Sequence, residues 1–309
     1  MIEIPAQFAR TMHNLYDHQG RAWLDALPAL VDECAQRWSL RVQPPFAPLS
    51  YNYVLPATRA DGSEVVLKLG VPNDELTTEI EALRIFDGRG IVQLLFGDAI
   101  RGILLLERVQ PGAMLLTVED DARATEIAAD VMQLLWRPAP QQHRFAHFTE
   151  LIEEMRATLA TLSEGVGPFP KKLVETAQAL ARDLLASPQE QMVLHGDFHH
   201  YNVLSSGRAA TCDVPWLAID PKGRVGERAC EVGALLHNPD LARYTVSELK
   251  PLLARRIDIL TERLQLPRER LVAWGVVYAM ISACWSYEED ASGGWEPTIA
   301  CAEALALLV

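Results

Sequence analysis

The chain has no excess of basic charge. Its 28 lysines and arginines face 41 acidic residues, for a formal net charge of −13. A general nucleic-acid binder needs basic patches that displace counterions from phosphates, so no nucleic-acid partner is expected. An acidic surface serves solubility, and its field also steers a cationic small molecule. Cysteine is sparse: Cys34, Cys212, Cys230, Cys284 and Cys301 form no CxxC pair. The odd count and scattered spacing point to reduced, partly buried thiols in a reducing compartment. The opening stretch MIEIPAQFAR lacks a basic segment followed by an apolar run, so no signal peptide is expected and a cytoplasmic location is. Long apolar runs are also scarce. The one candidate, 271–287, is 17 residues long and contains Gly275, Ser282 and Ser286. That is the short limit for a membrane span, and a buried core helix is the expectation, with no membrane partner.

What the chain does have is the material for a core. Hydrophobic residues make up 49% and charged residues 22% of its 309 positions, enough for one large domain or two lobes sharing a cleft. Residues 1–35 read as helical: AQFARTMHNL and GRAWLDALPALVDECAQRW, the second running on to Trp38, carry apolar residues at three- and four-residue steps. From Leu40 short β-rich runs follow. Asp61-Gly62 is a two-residue turn signal, so antiparallel strands are expected over 52–57 and 64–69. A helix capped at Asn73 or Asp74 and stopped at Gly88 comes next. Two strands, IVQLLFGD and GILLLERV, then lead into a linker, QPGAM. Residues 117–185 and 227–309 are largely helical, and between them QMVLH, NVLSS and WLAID read as a β-hairpin island. This order predicts an α+β chain with a bilobal protein-kinase-like fold. A small β-rich N-lobe with leading helices spans 1–108, and a mostly helical C-lobe spans 109–309.

The string MVLHGDFHHYNVLSSG, 192–207, carries the chemistry. Asn202 lies five positions after Asp197, and WLAIDPKG delivers Asp220 at the end of another predicted strand. Phosphoryl transfer asks for a carboxylate to orient the attacking hydroxyl and for oxygen ligands that hold Mg²⁺ against nucleotide phosphates. Asp197 suits the first role; Asn202 and Asp220 suit the second. The Asp-x₄-Asn spacing is that of a kinase catalytic loop. Lys68 sits in the aliphatic run EVVLKLG, where an ammonium is costly unless it reaches a partner. The α/β-phosphates of ATP would be that partner, with a helix glutamate holding the ammonium between turnovers. Glu79 is the choice, with Glu75 and Glu81 as rivals. The passage LLLERVQPG would offer its backbone, around Glu107 to Val109, to the adenine edge.

Together, LHGDFHHYNVL, AIDPKG, VLKLG and LLLERVQPG resemble the aminoglycoside phosphotransferase superfamily. IDPKGRVGERACEVGALLHNP and SACWSYEED resemble its streptomycin 6-kinase and hydroxyurea kinase branch, and the likeness runs over 50–289. It implies ATP, Mg²⁺ and phosphorylation of a hydroxyl on a small, usually cationic molecule, such as an aminoglycoside. A kinase for another alcohol or for hydroxyurea, and a kinase-shaped protein that holds nucleotide without transfer, are the alternatives. Protein kinases cover the phosphates with a glycine-rich loop; APLSYNYVLPAT has no glycine, so Ser50 and Asn52 would supply the donors.

Each residue also has a plainer reading. His195, His199 and His200 could bind zinc, but their spacing lacks a complete ligand set and no cysteine is near. His195 is expected to brace the loop. Asp197 alone would be a turn former, and Lys68 alone an edge-strand gatekeeper. Glu288-Glu289-Asp290 closes the long apolar helix, where carboxylates oppose the helix dipole. Glu288 and Glu289, together with Glu227 and Glu231 after the metal aspartate, are the candidates to grip a cationic acceptor. Trp274 and Trp285 are expected in the core.

Overall fold

The computed structural model of the protein describes residues 2–208, 214–239 and 241–309. Cys212 lies outside them; Cys34, Cys230, Cys284 and Cys301 are buried free thiols. The chain divides into two units, Met1–Val109 and Gln110–Val309.

The first unit opens with helix α1 (Ala6–Trp38), which breaks at Asp17 (φ 44°, ψ −121°) between the two helical stretches expected from sequence. Strands β1 (Arg41–Val42), β2 (Tyr53–Thr58), β3 (Glu64–Leu69), β4 (Leu94–Asp98) and β5 (Ile103–Glu107) form an antiparallel sheet ordered β1-β2-β3-β5-β4. Phe8, Met12, Leu27 and Val31 of α1 pack on Tyr53, Leu55, Leu67 and Leu105 of that sheet. The apolar side chains of β2 and β3 are therefore covered by a helix, which explains why β3 alternates so little. The β2–β3 turn puts Gly62 at φ 85°, a conformation glycine adopts without strain. Helix α2 (Asp74–Phe86) is capped by Asn73, whose side chain accepts the Leu76 N–H at 2.7 Å. It ends at Asp87 in the left-handed region, one residue before the expected glycine stop.

In the second unit, chain order runs β6 (Pro111–Met114), α3 (Asp121–Leu135), β7 (Arg137–Pro138), β8 (Ala146–His147), α4 (Phe148–Thr161), α5 (Lys171–Ala186) and β9 (Met192–Leu194). There follow β10 (Val203–Ser206), β11 (Trp216–Ala218), β12 (Arg224–Gly226), α6 (Val232–Leu236), α7 (Val246–Leu264), α8 (Arg268–Glu289) and α9 (Glu296–Ala306). The strands make two small sheets, β11-β10-β6 and β7-β9-β12-β8. QPGAM is thus a strand rather than a linker: Met114 pairs with Leu204 and Pro111 with Ser206. Proline is tolerated at a first strand position because no donor is required there.

Helix α8 fills the middle of this unit, with every residue from Leu271 to Ile281 buried. An all-round apolar helix enclosed by other helices needs no membrane. Among the described residues no helix is long and apolar enough to cross one. Arg256 of α7, itself buried, donates to Asp121 at 2.6 Å and to the carbonyl of Asn238 at 2.7 Å, tying α7 to the start of α3 and to the segment after α6.

Candidate active site

Strand β9 leads directly into His195, Gly196 and Asp197. Two backbone donors there point at one carboxylate: the His195 N–H reaches Glu231 Oε2 at 2.7 Å and the Gly196 N–H reaches Oε1 at 3.0 Å. The His195 ring accepts the Asp197 N–H at Nδ1 (3.3 Å), so Nε2 carries the proton and donates to the Ile219 carbonyl at 2.8 Å. Burial brings the His195 pKa down to about 4, and the imidazole is a neutral strut. Gly196 has φ 82°, and a Cβ there would meet the Arg224 stem at 3.0 Å.

Asn202 closes the loop. Its Nδ2 donates to the Asp197 carbonyl at 3.0 Å, and its own carbonyl accepts the Ile219 N–H at 2.9 Å. Val203 pairs with Ala218 across the β10–β11 hairpin, so the end of that hairpin sets Asn202 beside the Ile219-Asp220 step. Asp220 is exposed and left-handed at φ 56°, an uncommon conformation for a residue with a Cβ. Three residues on, the Gly223 N–H returns to the His195 carbonyl at 3.0 Å. Asp197, Asn202 and Asp220 therefore emerge from one hydrogen-bonded knot.

Two groups flank the Asp197 carboxylate. His199 Nε2 is 3.6 Å from Oδ1 and Lys222 Nζ is 3.9 Å from Oδ2. Burial pushes the Asp197 carboxyl up, but the adjacent His199 and Lys222 outweigh it and hold it down to about 2. An anion that acidic orients a hydroxyl better than it takes its proton. Asn202 suits a hard divalent cation: with Nδ2 committed to a carbonyl, Oδ1 is the atom left to bind, and oxygen donors are what Mg²⁺ selects. The three histidines do not converge as a zinc set. His195 serves Ile219, His199 faces Asp197, and His200 is buried with its Nδ1 unpartnered among the described residues.

In the first unit Lys68 is mid-strand on β3, with Val54 and Leu104 as cross-strand neighbours. Its ammonium donates to Glu79 Oε1 of α2 at 2.6 Å, and both side chains are buried. Glu75 is exposed and Glu81 half-buried, so the buried lysine takes the glutamate on the inner face of α2. Ser50 is exposed, and Asn52 is half-buried with its carboxamide laid over Gly70. Glu107 ends β5 with its N–H on the Gln93 carbonyl at 3.0 Å, and Val109 is the last residue of the unit.

The acceptor candidates need correction. Glu227 is buried and ion-paired to Arg270 at 2.7 Å, and it also accepts the Trp274 indole N–H. Glu231 is buried and accepts the two loop donors described above. Both carboxylates already have internal partners, so neither is available to hold an acceptor. Glu288 and Glu289 are exposed at the end of α8, with Glu288 Oε1 accepting from Thr158 Oγ1 at 2.5 Å. Trp274 is core, whereas Trp285 is half-buried against Tyr278, ring centroids 6.1 Å apart. Sequence reading missed the bracing role of Glu231, although a glutamate inside the small-apolar run ACEVGALL was the signal for a buried partner. It also passed over Lys222, which nothing in the sequence marks as lying beside Asp197.

The geometry can be set beside known proteins. The streptomycin 6-kinase of Streptomyces glaucescens is 33% identical over 99% of this chain and 97% of its own length. The hydroxyurea phosphotransferase of Kitasatospora aureofaciens is 35% identical over 99% of this chain and 86% of its own. Among solved structures, the choline kinase LicA of Streptococcus pneumoniae superposes with a TM-score of 0.61. It is 13% identical and covers 92% of this chain and 99% of its own, which gives the chain a protein-kinase-like α+β fold. Residues 37–290 match the family described as aminoglycoside/hydroxyurea antibiotic resistance kinase. A protein matched over that span, with full-length relatives at this identity, is a member: the chain is a kinase of the aminoglycoside/hydroxyurea antibiotic resistance family.

Proposed function

We propose that this protein transfers the γ-phosphoryl group of Mg-ATP to a hydroxyl of a small cationic acceptor, an aminocyclitol of the streptomycin class. The hydrogen bonds that tie the Asp197 loop to Asn202, and Asn202 to the Ile219-Asp220 step at the end of the hairpin, support this reading. Asp197 orients the acceptor hydroxyl. A bond forms from that oxygen to the γ-phosphorus as the bond to the β,γ-bridging oxygen breaks, ADP leaves with the electron pair, and the hydroxyl proton goes to solvent late, once the new oxygen–phosphorus bond has made it acidic. Asn202 and Asp220 would hold a Mg²⁺ ion, which neutralises phosphate charge when bound. Lys68, fixed by Glu79, binds the α/β-phosphates, and the backbone from Glu107 to Val109 bonds the adenine edge. Ser50 and Asn52 offer polar donors to the phosphates. Glu288 and Glu289 grip the cationic groups of the acceptor. Little covalent work falls to the protein; positioning and charge neutralisation dominate.

The test is ATP consumption with streptomycin, hydroxyurea and a panel of related polyols, followed by mass spectrometry of the product. Streptomycin is expected to gain one phosphate, and Asp197→Ala to lose roughly 10³-fold or more in kcat while binding ATP as before. Near-normal turnover in that variant, or no phosphorylated product from any acceptor with the wild type, removes the assignment. The identity to the hydroxyurea phosphotransferase favours hydroxyurea as the second acceptor to try.

A further inference from the structure

We infer that Lys222 is a catalytic residue whose ammonium contacts the γ-phosphoryl group during transfer, a role that rests on the phosphotransfer reading above. Its backbone is clamped to the catalytic loop on both sides. The Ile219 N–H bonds the Asn202 carbonyl (2.9 Å) and the Gly223 N–H bonds the His195 carbonyl (3.0 Å). Residues 220–223, two of them at positive φ (Asp220 56°, Gly223 68°), form a tight crook that turns the Lys222 side chain toward Asp197. Nζ stands 3.9 Å from Asp197 Oδ2, within one group's width of the atom that orients the acceptor hydroxyl.

The ion pair with Asp197 does not by itself explain this placement. The Lys222 side chain is 38% exposed and that of Asp197 is 29% exposed. At that distance and exposure an ion pair contributes about 0–1 kcal/mol. Charge demand does explain it. Asp197, Asp220 and an incoming triphosphate gather negative charge at one point in a chain already at −13. Three equatorial oxygens of the γ-phosphoryl must be neutralised as the bridging bond breaks. A preorganised cation at that point acts where charge develops, and removing such a group typically lowers kcat about 10²- to 10³-fold.

The experiment uses the full-length protein and the variants Lys222→Met and Lys222→Arg. Three readouts are taken: steady-state kinetics with the best acceptor, calorimetric binding of Mg-ADP and of the non-hydrolysable β,γ-imido analogue of ATP, and thermal unfolding. Lys222→Met is expected to lower kcat about 100-fold with little change in acceptor KM. It should weaken the analogue about tenfold while leaving ADP within twofold, since only the analogue carries a γ-phosphate. Lys222→Arg should recover most of both losses. A Lys222→Met enzyme within threefold of wild-type kcat overturns the inference. So does a parallel loss of ADP and analogue affinity together with a lowered Tm, the outcome of a merely structural lysine. If the wild type phosphorylates no acceptor, the functional reading fails by itself, and the two-nucleotide binding comparison still decides whether Lys222 meets a γ-phosphate.

Discussion

Single residues carry the chemistry here, and most act through their partners. Glu231 is the clearest instance. Its carboxylate is buried beneath the loop and takes two backbone N–H groups. Burial raises its pKa from 4.5 to about 7, with the Gly196 and His195 N–H groups pulling the other way. The folded-state value lies above the unfolded one, so the folded protein binds the extra proton. The associated stability is complete below pH 4.5 and is lost as pH rises through about 7. Glu231→Gln removes that slope and replaces one acceptor oxygen with a donor that faces an N–H. The variant is expected to be less stable than wild type, by ~2 kcal/mol for an unmet buried donor. The gap should be widest near pH 5 and narrow toward pH 8. Tm measured against pH for both proteins checks this; a gap that does not vary with pH counts against it. Asp197 behaves oppositely. Its carboxyl, held down to about 2, stays ionised across this range, so its stabilising contribution is complete above pH 3.8 and is lost only in strong acid.

At the scale of elements, β3 and α2 are joined by a buried ion pair, Lys68–Glu79. Removing one member leaves an uncompensated charge, at a cost of roughly 3–5 kcal/mol, whereas replacing both with apolar side chains of similar volume is often neutral or better. Lys68→Met alone is therefore expected to destabilise the protein, and Lys68→Met with Glu79→Leu to recover the melting temperature. Neither variant should transfer phosphate. Denaturation midpoints and turnover measured on the same samples separate the two outcomes, and a double variant that is stable and also active would deny Lys68 its phosphate role. Elements were legible in proportion to their length. The turn at Asp61-Gly62, the caps of α2 and the apolar surface of α8 were all written locally. Strands β7, β8 and β12 are two or three residues long, too short for any period to register, and β6 was hidden by a proline and a glycine that ordinarily announce a loop.

For the whole molecule, net charge is the quantity that matters most for an acceptor. A chain at −13 attracts a polycation through a field that salt screens, with a Debye length of about 10 Å at 0.1 M. The kcat/KM for streptomycin is expected to fall several-fold between about 0.02 and 0.5 M NaCl, while that for neutral hydroxyurea stays nearly flat. Glu288→Gln with Glu289→Gln should raise the KM for the cation, flatten its salt dependence and leave the KM for ATP alone. Equal salt dependence for both acceptors, or equal effects of the variant on ATP and acceptor, would argue that these carboxylates only solvate the end of α8.

The sequence by itself determined the α+β order, the Asp-x₄-Asn loop, the second aspartate and the lone lysine of an aliphatic strand. Each of these is a local pattern, set by spacing along a few residues or by the cost of a charge among apolar neighbours. Only the tertiary structure decided which carboxylates were available to a ligand. Glu227 and Glu231 looked like Glu288 and Glu289 in the string, but Arg270, Trp274 and the His195-Gly196 backbone claim the first pair. It alone set Lys222 beside Asp197, 25 positions earlier in the chain. Hydrogen bonds and ion pairs across such distances depend on how the hairpin and helices pack, and no spacing rule along the chain records that.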